Sequence, residues 1–263
     1  MTKVLLVGCG KMGSALLAGW LDRGMAAADV VVVDPSHPAP GVTVVGDHAA
    51  IPAGFLPDVV VLAVKPQVMA DVLPPYGRFA AALFLSIAAG KTIAFFRSHL
   101  GDGAALVRAM PNTPAAVRRG ITVCCPGPGI TAGQRTLAQS LLEAVGEVGW
   151  VEEEGLMDAV TAVSGSGPAY AFLLAEVMAE AGIRQGLPAA LSARLARATV
   201  AGAGELLRLS SEDAEQLRKN VTSPGGTTAA ALAVLMADGR GLPDLMVEAV
   251  DAATRRGREL AAG

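Results

Sequence analysis

The apolar run Val4-Leu5-Leu6-Val7 ends in Gly8-Cys9-Gly10-Lys11-Met12-Gly13 and passes straight into a segment, 14–23, with helical spacing and a Gly24 stop. A buried strand, a G-x-G-x-x-G turn and a helix in that order are compatible with few folds. The first glycine makes the tight turn, the second lets the backbone approach a pyrophosphate, and the third lets helix and strand pack closely. The helix N-terminus then turns free amides and the positive end of its dipole toward phosphate. Gly8, Gly10, Lys11, Met12 and Gly13 are therefore candidate dinucleotide contacts. The chain has 31 glycines, so the motif alone is weak, and its place between strand and helix gives it weight.

The rest of the first half extends that unit. Segments 30–33 and 59–64 are β-branched runs of the kind found in strands buried on both faces, and 82–87 and 106–110 are weaker strand candidates. Strands alternating with helices predict an α/β fold, a Rossmann-like doubly wound sheet that is mostly parallel. After Trp150 the pattern changes. Segments 168–181, 188–208, 212–217, 228–236 and 243–260 read as helices, several opened by proline. The acidic triplet Glu152-Glu153-Glu154 marks the change, which predicts a dinucleotide-binding domain over 1–152 and an all-α domain over 153–263. At 263 residues, two modest domains fit a prior of about 150 residues each. The Ala- and Leu-rich helices from Pro188 onward are expected to pair with another copy in a homodimer or a larger homo-oligomer.

Composition closes off other classes. Aromatic residues are only 4%, so the core is built from Ala, Val and Leu. With 21 basic and 24 acidic residues and no dense basic run, nucleic acid is not an expected partner. The longest charge-free stretch, 220–237, begins as a polar loop, and the short apolar run 4–8, ending in a glycine loop, does not read as a secretory leader. No membrane partner is expected, and a cytoplasmic location is. Cys9, Cys124 and Cys125 are odd in number, and His37, His48 and His99 are scattered, which reads as reduced thiols and no metal site. The adjacent cysteines read as buried packing, and His99 as a surface cap at a helix end. Gly90-Lys91-Thr92 resembles the tail of a triphosphate-binding loop, but Leu85 stands where its first glycine would be required.

Asp34 follows the second strand about 20 residues beyond Gly13, where a carboxylate accepts hydrogen bonds from the adenosine ribose hydroxyls. Pro35 and Ser36 continue the same contact. A 2′-phosphate in that place meets repulsion: two unit charges about 4 Å apart at an effective dielectric of about 20 cost about 4 kcal/mol before solvent reduces it. No Arg or Lys follows within 35–41, although Lys11 lies in the glycine loop. The cofactor reading therefore favours NADH, with NADPH as the alternative.

Further blocks carry a family likeness. Gly8-Cys9-Gly10-Lys11-Met12-Gly13, Ala63-Val64-Lys65-Pro66-Gln67, Ser86-Ile87-Ala88-Ala89-Gly90 and Met110-Pro111-Asn112-Thr113-Pro114 occur in order. Thr161-Ala162-Val163-Ser164-Gly165-Ser166-Gly167-Pro168-Ala169-Tyr170 and Val221-Thr222-Ser223-Pro224-Gly225-Gly226-Thr227-Thr228 follow. Together they resemble the pyrroline-5-carboxylate reductases across nearly the whole chain, the last block being the most discriminating. The resemblance implies reduction of the cyclic imine 1-pyrroline-5-carboxylate to L-proline, the last step of proline biosynthesis, by hydride transfer from a nicotinamide.

That chemistry needs a donor at the imine nitrogen and a dock for the substrate carboxylate. A Gly-rich turn entering a helix suits the dock, through Ser223, Gly225, Gly226 and Thr227. By resemblance the Thr228 hydroxyl approaches the nitrogen and Ser223 shares its pocket, which makes these two the catalytic candidates. An ordinary helix N-cap is the competing reading of the corner. By resemblance again, Ala63, Val64, Lys65 and Pro66 line the cofactor, and Ala88, Ala89 and Asn220 meet its nicotinamide half. Lys65 reads either as an acid or as a loop-orienting residue, and Glu154 either as near the active site or as a solvated boundary residue. Ser164 lacks the G-x-S-x-G elbow of a hydrolase nucleophile. Relatives that use the phosphorylated cofactor tend to have a small polar residue where Asp34 stands, and often an Asn where this chain has Asp47 and His48. Two other functions share the glycine loop: a 3-hydroxyacid dehydrogenase, which needs a proton-transferring residue such as Lys on the first long helix after the sheet, and a dinucleotide sensor without chemistry.

Overall fold

The structure, a computed structural model, describes residues 2–262. Its strands are β1 (Val4–Val7), β2 (Val30–Val33), β3 (Thr43–Val45), β4 (Val59–Leu62), β5 (Leu83–Ser86), β6 (Ala105–Met110), β7 (Gly120–Pro126) and β8 (Gly146–Trp150). Among the described residues they form one eight-stranded sheet in the order β3-β2-β1-β4-β5-β6-β7-β8. All neighbours are parallel except β6 and β7. The helices among the strands are α1 (Lys11–Asp22), α2 (Met69–Val72), α3 (Ile93–Leu100) and α4 (Ala132–Leu142). After them come α5 (Met157–Val160), α6 (Gly167–Arg184), α7 (Ala189–Leu209), α8 (Ala214–Asn220), α9 (Thr227–Leu235) and α10 (Leu242–Ala262).

The four strands β1, β2, β4 and β5 are buried at every position, as their unbroken apolar runs require for a sheet covered on both faces. Their side chains alternate into two cores, one under Trp20 and Leu142, the other under Phe84 and Phe96. The doubly wound sheet expected from the sequence is present, as is the helical second half. The structure adds β3, β7 and β8, which the sequence reading does not place. β3 is short and half-exposed, and β7 is read through by polar and glycine positions, so neither gives a periodic apolar signal. Helix α1 also starts three residues before the expected Ser14, because Gly10 itself takes the extended N-cap conformation.

The chain divides into two compact units, one of residues up to Gly165 with those from Ala253 on, the other Ser166–Ala252. The turns after the acidic triplet stay with the sheet: Met157 is buried in its core, and a Cβ on Gly165 would lie 2.6 Å from the Met110 methyl. In the second unit α6 and α7 pack against each other, joined by a turn at Gly186 (φ +92°). A side chain at Gly182 would collide with the Ser192 hydroxyl, which donates to the Ala179 carbonyl at 2.6 Å.

Candidate active site

The sheet reverses its winding at β1, which has β2 on one side and β4 on the other. Ligands of such sheets gather at the carboxyl ends of the strands around that point. Three sequence-predicted segments lie there, because the loops leaving β1, β4 and β5 are Gly8–Gly10, Ala63–Pro66 and Ile87–Ala89 on adjacent parallel strands. Gly8 has φ +92°, and a Cβ on it would come within 2.9 Å of the Ala63 backbone. A Cβ on Gly13 would collide with the Gly8 carbonyl oxygen, so the third glycine is required for strand and helix to approach. Gly10 differs. A Cβ there would meet nothing within 4 Å, so the loop is open on the side where a pyrophosphate backbone needs room. The residues present thus fit a dinucleotide. Lys11 is exposed and Met12 half-buried at the first turn of α1.

Asp34 leaves β2 beside this loop. Its Oδ2 accepts from the Cys9 amide at 2.7 Å, and its Oδ1 accepts from the amides of Ser36 at 2.8 Å and His37 at 2.9 Å. The His37 imidazole Nδ1 lies 3.1 Å from Oδ1 and 3.2 Å from Oδ2. Burial pushes the carboxyl pKa up, but the hydrogen bonds from Cys9, Ser36 and His37 outweigh it and hold it below the ordinary value. Asp34, Ser36, His37, Pro38 and Val42 also line an open cavity of about 510 Å³. Pro35 and Ser36 are exposed on its rim. No Arg or Lys stands within 35–41, and His37 has no role in the sequence pattern. The structure adds a partner from that segment: the i,i+3 spacing across the Pro35 turn folds the His37 ring back onto the carboxylate.

At the next two loops, Ala63 donates to the Val7 carbonyl at 2.7 Å, and Val64 is half-buried. Lys65 is exposed and precedes the turn that begins at Pro66. Ala88 is buried, with its amide donating to Ser86 Oγ at 3.3 Å, and Ala89 beside it is half-exposed. The loop then enters α3, whose Thr92 hydroxyl caps the Phe95 amide.

Glu154 anchors that helix. Its Oε1 accepts from the Ile93 amide at 2.7 Å and from Arg108 Nη1 at 2.9 Å, and the Arg108 side chain is only 5% exposed. This overturns the view of Glu154 as a solvated boundary residue. Its carboxylate ties the start of α3 and strand β6 to the segment leaving the sheet.

The helical unit has its own polar corner, at the start of α9. Ser223 accepts from the Gly226 amide at 3.1 Å through its carbonyl, Gly225 has φ +67°, and Gly226 is the N-cap of α9 in extended conformation. No side chain caps that helix. Ser223 and Thr227 are exposed and Thr228 is half-buried. Asn220, the last residue of α8, donates to Glu212 at 3.0 Å and accepts from Gln216 at 2.7 Å. Ser164 donates to the Val160 carbonyl at 2.9 Å inside a π-turn, Thr161–Gly165, with no base on its hydroxyl. All three cysteines are buried and unpaired with one another; burial and the Cys125 charge push the Cys124 thiol up to about 12. Cys9 and Cys125 are raised as well, by burial first. His99 Nδ1 lies 2.8 Å from the Phe95 carbonyl of its own helix.

Comparison with known proteins matches residues 154–260 to the family described as pyrroline-5-carboxylate reductase dimerisation, and residues 3–90 to that described as NADP oxidoreductase, coenzyme F420-dependent. The chain is 39% identical to the pyrroline-5-carboxylate reductase of Pseudomonas aeruginosa, over 98% of this chain and 97% of that one. It belongs to the pyrroline-5-carboxylate reductase family. The enzyme of that name from Synechocystis is also 39% identical, over 97% of both chains. Among solved structures, a pyrroline-5-carboxylate reductase from Coxiella burnetii superposes with a TM-score of 0.91 at 35% identity, over 99% of this chain and 98% of that one. The Plasmodium falciparum pyrroline carboxylate reductase with NADP bound gives 0.83 at 28% identity, over 99% and 98%. The family is one of NAD(P)H-dependent oxidoreductases.

Proposed function

We propose that this chain reduces 1-pyrroline-5-carboxylate to L-proline. The C=N bond takes a hydride at carbon and a proton at nitrogen, and the dinucleotide supplies the hydride when bound. The chain's own residues have two tasks: to hold the substrate carboxylate and to stabilise the nitrogen as it becomes an amine.

The observation that carries the reading is the bare start of α9. An ordinary N-cap would spend a hydroxyl on the first-turn amides, and here Gly226 leaves them without a side-chain acceptor. Those amides, with the positive end of the helix dipole and the hydroxyls of Ser223 and Thr227, suit a carboxylate. The Thr228 hydroxyl hydrogen-bonds the substrate nitrogen. A threonine hydroxyl is too weak an acid to ionise usefully near neutrality, so it relays a proton from water. The helix where a hydroxyacid dehydrogenase needs a lysine, α6, contains none.

Gly8, Gly10, Lys11, Met12 and Gly13 cradle the dinucleotide, Asp34, Pro35 and Ser36 meet its adenosine ribose, and Ala63, Val64, Lys65, Pro66, Ala88, Ala89 and Asn220 line the rest. NADH is the favoured cofactor and NADPH the alternative. The functional division is 1–152 for the dinucleotide and 153–263 for substrate and dimerisation. The helical unit works as a homodimer or a larger homo-oligomer, since Phe172, Leu206, Leu209 and Val247 are each more than half exposed. We place the enzyme in the cytoplasm, in keeping with its buried free thiols; no described helix is long and apolar enough to cross a membrane.

Thr228→Ala tests the site. Turnover of the imine is expected to fall at least about tenfold, a barrier increase of about 1.4 kcal/mol, while NADH binding stays intact. Unchanged turnover removes Thr228 from the mechanism.

A further inference from the structure

We propose that His37 selects between the two dinucleotides, because its ring occupies the place on Asp34 that an adenosine ribose needs. An ionised carboxylate only accepts hydrogen bonds and has about four lone-pair sites. Around Asp34 the donors are the amides of Cys9, Ser36 and His37 and the His37 imidazole. Three of these donors are backbone groups, fixed by the glycine loop and by the turn after β2. Only the imidazole sits on a rotatable side chain. The Asp34 side chain is 9% exposed and that of His37 57%, so the ring swings into open solvent at little steric cost.

The two cofactors then make opposite demands on one residue. A ribose bearing free 2′- and 3′-hydroxyls brings its own donors to the carboxylate, and the imidazole has to leave to make room. A ribose bearing a 2′-phosphate brings an anion beside an anion. There the imidazole is an asset: it donates to phosphate, and in its protonated form it also offsets the charge. Segment 35–41 contains no lysine or arginine to share that task, and Pro35, Pro38 and Pro40 stiffen the turn that carries the ring. His37 therefore weakens NADH binding and supports NADPH binding, which makes the chain less selective than Asp34 alone dictates.

This inference rests on the reading that Asp34 meets the adenosine ribose, and the test separates the two. Dissociation constants for NADH and NADPH are measured by calorimetry on the intact protein, for the unaltered chain, His37→Ala, His37→Gln and Asp34→Ser. His37→Ala is expected to bind NADH about threefold tighter and NADPH about tenfold weaker, the range of one neutral and one charge-assisted hydrogen bond. His37→Gln keeps a donor but no cationic form, so it is expected to hold NADH near the original affinity and still lose NADPH. Equal shifts for both dinucleotides in His37→Ala, or none, overturn the role of His37. If Asp34→Ser then still changes the preference, the ribose contact stands and only His37 is dismissed. If Asp34→Ser changes nothing either, the placing of the ribose falls too.

Discussion

Asp34 shows how much a single carboxylate holds together. It fixes the second residue of the glycine loop through the Cys9 amide and the start of the following turn through Ser36 and His37. Its pKa lies below the usual carboxylate value in the folded chain, so the ionised form is favoured by folding. The sign follows from linkage: the contribution is complete above the unfolded pKa, about 3.9, and is lost as pH falls through the lower folded value. Asp34→Asn should therefore be less stable than the unaltered chain at neutral pH in urea titrations, and the gap should close on acidification below about pH 4. A gap that stays constant into that range contradicts the assignment. The position of Asp34 is legible in the sequence because an acid at the end of a β-branched run is a fixed feature of such sheets. Its occupation by His37 is not, because it depends on how the turn at Pro35 folds the ring back.

Among the elements, the segment between β8 and α6 is the one that sequence periodicity describes least well. It consists of one turn of α5 and a π-turn, too short for a helical pattern, yet it carries Glu154 onto Arg108 and onto the first amide of α3. Removing one member of a fully buried pair costs about 3–5 kcal/mol. The Glu154 side chain keeps 30% of its exposure, so Glu154→Ala should lower the unfolding free energy by on the order of 2 kcal/mol, with Glu154→Gln, which still accepts from Ile93, losing less. Chemical denaturation showing no loss in the alanine variant would dismiss the anchor. Strands β1, β2, β4 and β5, helix α1 and the helices from α6 onward are readable in the sequence, whereas α3 and α4, among the strands, are not placed by it. β3, β7 and β8 are stabilised by neighbours rather than by their own pattern: Gly146 at the start of β8, where a side chain would collide with the Gly120 carbonyl, makes sense only once β7 lies beside it.

For the whole molecule, the reaction class is readable because chemistry and fold constrain different residues. The glycine loop and Asp34 fit a dinucleotide, whereas Ser223, Gly225, Gly226 and Thr228 form the corner we propose as an anion dock with a hydroxyl beside it, and neither set alone specifies an imine. Family membership over nearly the full length joins them. The most direct measurement is turnover of synthetic 1-pyrroline-5-carboxylate by the purified chain, with reduced dinucleotide consumed and L-proline quantified together. The account predicts one proline formed per dinucleotide oxidised. Tight dinucleotide binding without imine reduction, or oxidation coupled only to keto acids, would contradict it.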